Sequence, residues 1–399
     1  MALSKIDVAN MLTGATPVAN GGTALTSVFV NGKDPRVNVK PIIINGNMAV
    51  SQRTTSTTGV TSTTYGACDR MQLVNNTMGT YTVIQESLTS GAAYEAGFHN
   101  AWRIDCTTAD SSPASGDVLY PRYKIESQDL SVFKKGTSGA EAFTIAFWVK
   151  SNKTGNAQVN FYDIDNTRLC SGTYSISSAD TWEHKVINIA ADTTGAWADD
   201  NGEGLRIEWR LDSGSDSTSG ATPTAWEAHN AADRDVAGQL QIARSTSNDW
   251  AITGIQLEVG TFTSATLPPF QFETFKENLA RCQRYFTMIA DGRLGGGSNE
   301  AIIGAGYCHS GNSNYFADGI LPVKLRTYDP SIFTVTGTNN YKALRDNGED
   351  YFDSLVMYSQ YNAQGFSVNG TGNVSATQGH GVQMRLGSSS TYLGVDSEL

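Results

Sequence analysis

The stretch from Trp250 to Ala290 constrains the fold most, because it combines a strand, a break and a helix in close succession. Apolar residues alternate along its first part, and the alternation changes from one face to the other around Gly254. Such a switch predicts a β-bulge, since glycine tolerates the extra unpaired residue. Pro268 and Pro269 then end the strand, because neither proline can donate a backbone hydrogen bond.

The clearest helix pattern of the sequence follows these two prolines. Thr274 and Glu277 have the spacing of a capping box, and Gly292 is a suitable stop. Between them, apolar residues at helical spacing draw one seam: Phe275, Leu279, Cys282, Phe286 and Ile289. The seam either packs on the chain's own sheet, which its short length favours, or forms an intersubunit coiled coil. These five residues are therefore the candidates for an oligomer contact.

Short β-branched runs, separated by Asn-Gly and Asp-Gly pairs, fill most of the remaining chain and are typical of an all-β protein. Alternation is clear at Arg206, Glu208 and Arg210, which should share one face of a strand. We predict an all-β fold in which a jelly-roll-like two-sheet sandwich precedes one amphipathic helix and a second smaller β-sandwich domain. The predicted parts are 41–270 for the sandwich, 271–300 for the helix and Gly-rich connector, and 301–399 for the C-terminal domain.

Residues 1–40 differ from the rest, because a short apolar pattern is followed by a tract too rich in Gly, Thr and Ala to bury a core alone. Leu3, Ile6, Met11 and Leu12 would lie on one side of a short helix. The segment is either a flexible leader or becomes ordered against a partner. We favour the second alternative, with these four apolar residues as the attachment.

Charge and cysteine usage exclude several classes of function. The formal net charge is −11 and no basic stripe is present, which argues against nucleic acid and anionic membranes as partners. No apolar run is long enough to span a bilayer and no signal peptide opens the chain, so synthesis in a cytoplasm is expected. The five cysteines have no metal-ligand spacing, and we expect buried thiols, no metal and no cofactor.

Motifs for catalysis are missing from the sequence, including G-x-S-x-G, H-E-x-x-H, a phosphate-binding glycine loop and Cys-x-x-Cys. His309 follows Cys308, but neighbours in a strand point to opposite faces, so they form no nucleophile–base pair. Two acidic groups occur: Asp163 with Asp165, and Asp199 and Asp200 with Glu203. Turns explain both groups most simply, with calcium binding as the weaker alternative for the second. We therefore assign no catalytic residue.

Sugar binding fits the composition better than catalysis. Carbohydrates are held by aromatic faces and by polar side chains that hydrogen-bond the hydroxyls. Six candidates lie in polar surroundings: Trp197, Trp226, Tyr315, Tyr351, Tyr358 and Tyr361. For Trp197 and Trp226 a loop tucked over the sandwich is the simpler interpretation.

Several motifs occur in a recognisable order: NVKPIIINGNMAVSQR, YGACDRM, WVKSN, WAITGIQLEVG, PFQFETFKENLARCQRYF and GILPVKLRT. Together they resemble bacteriophage tail-fibre and virion-surface fibre proteins with a carbohydrate-binding-like β-sandwich, in which INGxMxxxQR is followed by DRW. The matching residues are Asn45, Gly46, Met48, Gln52, Arg53, Asp69 and Arg70. Met71 replaces the usual tryptophan, and the tract TGATPVANGGT is similar to a glycine-rich segment of trimeric phage fibres. The resemblance covers roughly residues 13–330.

This resemblance implies a structural virion fibre, commonly a homotrimer, that joins other virion proteins through its N-terminus. Its distal C-terminal domain would bind surface glycan of the host, with many weak contacts multiplied by valency. The alternatives are a capsid-attached fibre or decoration protein without essential receptor binding and, third, a polysaccharide-degrading fibre enzyme. The expected location is the virion, after synthesis in the host bacterial cytoplasm.

Overall fold

The structure is a computed structural model that describes residues 40–294, 301–310, 314–335, 337–357, 365–371, 375 and 377–399. The fold is all-β with a few short helices, as predicted. Six residues with predicted roles lie outside the described residues: Leu3, Ile6, Met11, Leu12, Tyr358 and Tyr361.

The first part of the chain forms a two-sheet sandwich. Its strands are β1 (Ser56–Val60), β2 (Thr64–Tyr65), β3 (Gln72–Asn76), β4 (Thr80–Ser87), β5 (Asn100–Thr108), β6 (Val118–Glu126), β7 (Phe143–Ser151), β8 (Gly155–Asp163), β9 (Arg168–Ile176), β10 (Glu183–Ile189), β11 (Glu203–Arg210), β12 (Asp212–Ser213), β13 (Glu227–Ala228) and β14 (Asp249–Val259). Its helices are α1 (Ala92–Glu95) and α2 (Ser215–Thr218), with 3₁₀ turns at Ser127–Phe133, Ala231–Asp233 and Ile242–Arg244.

One sheet has the strand order β1-β4-β5-β14-β7-β10 and the other β13-β9-β8-β11-β6-β3-β2, with β12 beside β6. The apolar residues of both inner faces meet in one core, where Trp102, Trp209 and Trp250 are fully buried. The predicted two-sheet sandwich is therefore confirmed. Neighbouring strands pair antiparallel, so each strand presents its alternate residues to this core and to the outer face.

The predicted bulge in the central strand β14 is confirmed. Its register against β7 shifts between Thr253 and Gln256, and Gly254 has a positive φ of 63°. A Cβ at Gly254 would lie 2.7 Å from the ring of Phe98, so both backbone angle and space require glycine here. The bulge lets Trp250 and Leu257 both reach the core although they differ in parity.

The predicted helix begins as expected but ends early. Helix α3 spans Phe275–Gln283, and Thr274 and Glu277 form the capping box. The prediction that it continues towards Gly292 was wrong, because the next residues form strand β15 (Phe286–Asp291). Aromatic and β-branched residues suit a strand, and a partner strand from the end of the chain is available. Among the described residues, no helix is long and apolar enough to cross a membrane.

The five seam residues do not form a continuous surface for a coiled coil. Cys282 and Phe286 are fully buried within the chain, and Leu279 and Ile289 pack against its own clusters. Phe275 alone among the five is open to solvent, with 60% of its surface exposed. The coiled-coil alternative is therefore contradicted, because the helix ends after Gln283, partway along the seam, and the following strand turns Phe286 inward.

The second part of the chain forms a smaller β-sandwich. Besides β15, its strands are β16 (Ile302–Ser310), β17 (Asn314–Ile320), β18 (Ser331–Thr334), β19 (Tyr341–Arg345), β20 (Gly348–Phe352), β21 (Leu355–Met357), β22 (Gly365–Thr371), β23 (Gly381–Leu386) and β24 (Tyr392–Asp396), with a 3₁₀ turn at Gly292–Leu294. The sheets have the orders β15-β24-β18 and β20-β19-β23-β16-β17-β22-β21. Their shared core includes Tyr315, Tyr341 and Leu393. This sandwich begins at Phe286, earlier than the predicted boundary at residue 301.

The residues of the fibre-like motifs lie where the two sandwiches meet. Arg53 pairs with Asp396 at 2.8 Å and with Glu398 at 3.5 Å, and Glu398 also pairs with Arg70. The Arg70 guanidinium lies 3.4 Å from the ring centre of Tyr285. These motif residues are therefore architectural, since they join the end of the chain to the first sandwich.

Candidate functional site

Trp197 and Trp226, the first sugar-stacking candidates, lie on either side of one buried lysine. The Lys135 ammonium is 5.5 Å from the ring centre of Trp197 and 5.3 Å from that of Trp226. Both rings are half-buried and pack against the main core, and the Trp226 indole donates to the Ala190 carbonyl at 2.8 Å. The two tryptophans are thus brought together, but the lysine between them already occupies their faces.

The surroundings of Lys135 explain why it stays there. Its ammonium pairs with Asp163 at 2.6 Å and with Asp192 at 3.1 Å. It also donates hydrogen bonds to two backbone carbonyls of the loop that carries Trp197. A cavity of about 120 Å³ lies beside Trp197, well below the roughly 300–1,000 Å³ of typical ligand sites. The arrangement holds the loop onto the sandwich and leaves little room for a sugar.

The two acidic groups are also used within the fold. Asp163 belongs to the lysine cluster, and Asp165 accepts hydrogen bonds from Ser127 Oγ and the Ala198 amide, each at 2.9 Å. Glu203 pairs with Arg206 at 2.6 Å and with Lys124 at 3.3 Å. Glu203 is thus already engaged by two cations, which argues against the calcium alternative for the second acidic group.

The predicted polar face of β11 exists, but the chain itself covers it. Glu208 is fully buried and contacts Arg234 at 2.5 Å, Arg210 at 3.7 Å and Arg206 at 3.9 Å. Burial alone would raise the pKa of Glu208, but the positive charges of the arginines have the larger combined effect. The pKa of Glu208 therefore lies below its ordinary value. The covering segment spans residues 214–237, whose backbone carbonyls accept hydrogen bonds from outward-facing β8 side chains.

The same segment stacks the His229 ring on Tyr162 with the ring centres 4.5 Å apart. Burial, followed by the charge of Arg234, holds the pKa of His229 below its ordinary value, so the stacked ring is neutral at pH 7. This part of the outer face is therefore closed by internal contacts.

Of the tyrosine candidates, Tyr315 is contradicted by the structure. It is fully buried in the core of the second sandwich, and its hydroxyl contacts Asp350. Strand alternation is the reason, since Tyr315 shares the inner face with Ala317 while Phe316 points outward. Tyr351 is half-buried on β20, where its hydroxyl donates to Glu349 at 2.6 Å.

The outer face of β16 and β17 carries an aromatic group that the sequence did not reveal. Tyr307 lies opposite Phe316 in the strand register, with the ring centres 5.9 Å apart and the planes 24° from parallel. His309 meets the same Phe316 ring edge-on at 5.1 Å. The Phe316 ring is buried, whereas the Tyr307 side chain is 43% exposed, so Tyr307 is the ring of this pair that is open to solvent.

These rings line a cleft of about 400 Å³, which we call the aromatic cleft. Its lining residues are Tyr307, His309, Phe316, Asp318, Gly319, Gly365, Phe366 and Ser367. Gly319 is needed for its shape, because a Cβ there would lie 2.2 Å from the ring of Phe366. The volume falls within the range of small-ligand sites, roughly 300–1,000 Å³.

Polar acceptors border the aromatic cleft. Asp318 is exposed, and none of the described residues donates a hydrogen bond to its carboxylate or pairs with it. Ser367 lies opposite Asp318 in the register, and Asn369 lies opposite Phe316. The Asn369 side-chain oxygen is buried and has no donor among the described residues. The cleft thus combines the exposed ring of Tyr307 with the exposed carboxylate of Asp318, an acceptor that a hydroxylic ligand can satisfy.

Neither His309 nor Phe316 is among the predicted sugar-binding residues, which include Tyr315, the neighbour of Phe316. The prediction that Cys308 and His309 point to opposite faces is confirmed, since the thiol is fully buried and the imidazole is exposed. The sequence pattern that could have predicted this aromatic group is the alternation of Tyr307 and His309 around Cys308, which places both rings on the exposed face of the strand.

No protein-family model matches the chain, and no curated protein matches it. Several solved structures are similar. The enzymatically active domain of tailspike protein 4 from bacteriophage CBA120 is 13% identical with a TM-score of 0.26, over 55% of this chain and 21% of that one. This chain therefore spans about a fifth of that tailspike domain.

Two further similar structures are complexes with sugars. The family 11 carbohydrate-binding module from Clostridium thermocellum, in complex with a β-1,3-1,4-mixed-linked tetrasaccharide, is 8% identical with a TM-score of 0.24, over 48% of this chain and 90% of that one. TmCBM61, in complex with β-1,4-galactotriose, is 7% identical with a TM-score of 0.26, over 55% of this chain and 97% of that one. Likeness this slight does not establish a function for this chain.

Proposed function

We propose that this chain is a glycan-binding β-sandwich protein and that the aromatic cleft holds the sugar. The observation that carries the proposal is the stacked pair Tyr307 and Phe316 beside the exposed carboxylate of Asp318, which pairs with none of the residues that the structure describes. A pyranose has an apolar face that packs on an aromatic ring and hydroxyl groups that donate to carboxylate and amide oxygens. Both kinds of group meet in this one cleft.

The wider role we propose is that of a structural phage virion fibre that mediates attachment to the host surface. The fibre-like motifs support it, because Arg53 and Arg70 within them hold the two sandwiches together. In this proposal residues 1–40 join other virion proteins, the fibre is a homotrimer, and the C-terminal sandwich faces the host. Three copies of a weak cleft would raise the effective affinity through valency. The chain binds sugar without cleaving it.

A glycan array probed with the fluorescently labelled full chain tests sugar binding directly. We expect binding to a restricted set of glycans, and about a tenfold loss of affinity in the Tyr307→Ala variant, because an open stacking face is removed. Tyr328→Ala is the matched control, since Tyr328 is 59% exposed and lies outside the cleft. Equal binding by wild type and Tyr307→Ala would place the sugar elsewhere.

The virion role needs a separate measurement. Immunogold labelling of assembled particles should place the chain on tail fibres, whereas labelling of the capsid surface would favour the capsid-attached alternative. Incubation of the purified chain with polysaccharide from the host surface should release no reducing ends. Release at a sustained rate would favour the third alternative, a polysaccharide-degrading fibre enzyme.

A further inference from the structure

Resting on the proposed function, we infer that the sugar held in the aromatic cleft carries a positively charged amino group. The ligand class is an amino sugar without an acetyl group on its nitrogen. The juxtaposition that points to it is the carboxylate of Asp318 at the rim of a cleft walled by Tyr307, Phe316 and His309. A neutral sugar would use the rings and leave the charge of Asp318 without a partner.

Asp318 is open to a cation because its neighbours in the sheet are neutral. Its partners in the register are Ala305 on β16 and Ser367 on β22. Among the residues that line the cleft, Asp318 supplies the carboxylate and His309 is the other titratable group, and none of the described residues forms an ion pair with Asp318. An ammonium group placed at the rim would therefore gain an attraction that no side chain already supplies.

The cations of the same sheet are engaged away from the cleft. Arg345 donates to Asp350 at 3.1 Å, Lys342 pairs with Glu349 at 3.3 Å, and Arg385 donates to the side chain of Gln383 at 2.6 Å. Their positions on β19 and β23 set them across the sheet from β17 and β22, which carry the acceptors. The cleft consequently keeps the negative potential of its own carboxylate.

The aromatic rings of the cleft, like the carboxylate of Asp318, favour the binding of a cation. The face of an aromatic ring carries negative charge density, so a cation near Tyr307 or Phe316 is attracted to it. The formal charge of −11 on the whole chain also favours the approach of cations over anions. Conversely, a sugar with a carboxylate would be repelled by Asp318, so uronic acids are the poorest ligands.

Paired ligands that differ at one group test the inference. The probes are the β-methyl glycosides of glucosamine and glucose, and of galactosamine and galactose, titrated by isothermal calorimetry into the full chain at pH 6.5, where the amines are protonated. We expect each amino sugar to bind about tenfold more tightly than its hydroxyl counterpart. At pH 9 the amine is neutral and the difference should largely disappear.

The variant Asp318→Asn removes the charge and keeps the shape of the side chain. In this variant the ratio of affinities between each amino sugar and its hydroxyl counterpart should be close to one. Asp346→Asn is the matched control, because Asp346 is also an exposed carboxylate but lies in the turn between β19 and β20. A ratio that stays high in Asp318→Asn, or that falls equally in the control, would overturn the inference.

The outcome also separates this inference from the proposed function. If each amino sugar and its neutral counterpart bind wild type equally well, sugar binding stands and the charge preference is wrong. If neither member of either pair binds at millimolar concentrations and the glycan array is also blank, the proposal of glycan binding itself is wrong. Thermal melting of both variants checks that the fold is intact.

Discussion

On the outer face of the first sandwich, Glu208 lies among three arginines and beneath a covering segment, whereas Asp318 on the outer face of the second sandwich forms no ion pair with any residue in the described part of the chain. The aromatic groups differ in the same way. Trp197 and Trp226 enclose the ammonium of Lys135, while Tyr307 offers an open face above Phe316.

The difference shows how to separate structural from binding residues of the same chemical type. A buried charge must be paired, because leaving it unpaired costs far more than its pair contributes. The network around Glu208 is therefore a consequence of covering the sheet. An exposed carboxylate is solvated at little cost and keeps its full capacity for a ligand, which is the condition of Asp318.

Removal of the Glu208 charge at the centre of the first network should have the strongest effect on stability. Glu208→Gln should lower the free energy of unfolding by about 3–5 kcal/mol, because three arginines lose their shared counter-charge in a buried setting. Urea unfolding of the full chain measures the change. Asp318→Asn serves as the control and should stay within about 0.5 kcal/mol of wild type. A loss under about 1 kcal/mol for Glu208→Gln would contradict a structural role.

The second effect concerns pH. Burial, the largest influence, raises the pKa of Asp235 to about 6, although Arg210 lies 3.9 Å away. Between about pH 4 and 6 the folded state holds a proton that the unfolded chain has released, so this group's contribution to stability falls as pH rises. The loss across this window should be about 2–3 kcal/mol.

Urea midpoints at several pH values, compared between wild type and Asp235→Asn, isolate this contribution. The difference in urea midpoint between wild type and Asp235→Asn should change from pH 4 to pH 6 and be constant above pH 6. A difference that does not vary with pH would show that Asp235 is ionised throughout.

Removal of the Trp226 ring tests whether the tryptophans of the first sandwich are structural while the aromatic cleft binds sugar. Trp226→Ala should lower the free energy of unfolding by about 2 kcal/mol, less than for a fully buried tryptophan because the ring is half-buried. Glycan binding measured by calorimetry should be unchanged. The reverse pattern, with weakened binding and unchanged stability, would move the sugar site to the first sandwich.

The smallest expected effect is at the edge of the aromatic cleft. His309→Ala should weaken glycan binding about threefold, because the imidazole supplies a single edge contact to Phe316. Calorimetric titration with the tightest glycan from the array measures it. His380→Ala is the matched control, since His380 is also exposed but contacts Asp346 outside the cleft. A larger loss in the control than in His309→Ala would contradict the proposed position of the cleft.

Several features of the fold could be predicted because they depend on neighbours in sequence. The bulge at Gly254, the capping box of Thr274 and Glu277, and the opposite faces of Cys308 and His309 all follow from short-range periodicity and hydrogen bonding. The end of helix α3 was missed. A helical spacing of apolar residues continues past Gln283, but pairing with β24 from far along the chain converts that region to a strand.

The candidate site was missed for a related reason. Tyr315 and Phe316 look equally suitable in sequence, and strand register against β16 and β22 decides which of them faces outward. By itself the sequence determined the strands, the caps and the alternation of faces, since these are set by local backbone geometry. Only the tertiary structure decided which faces are covered. The cover comes from distant segments such as 214–237, whose contacts depend on how the whole chain packs.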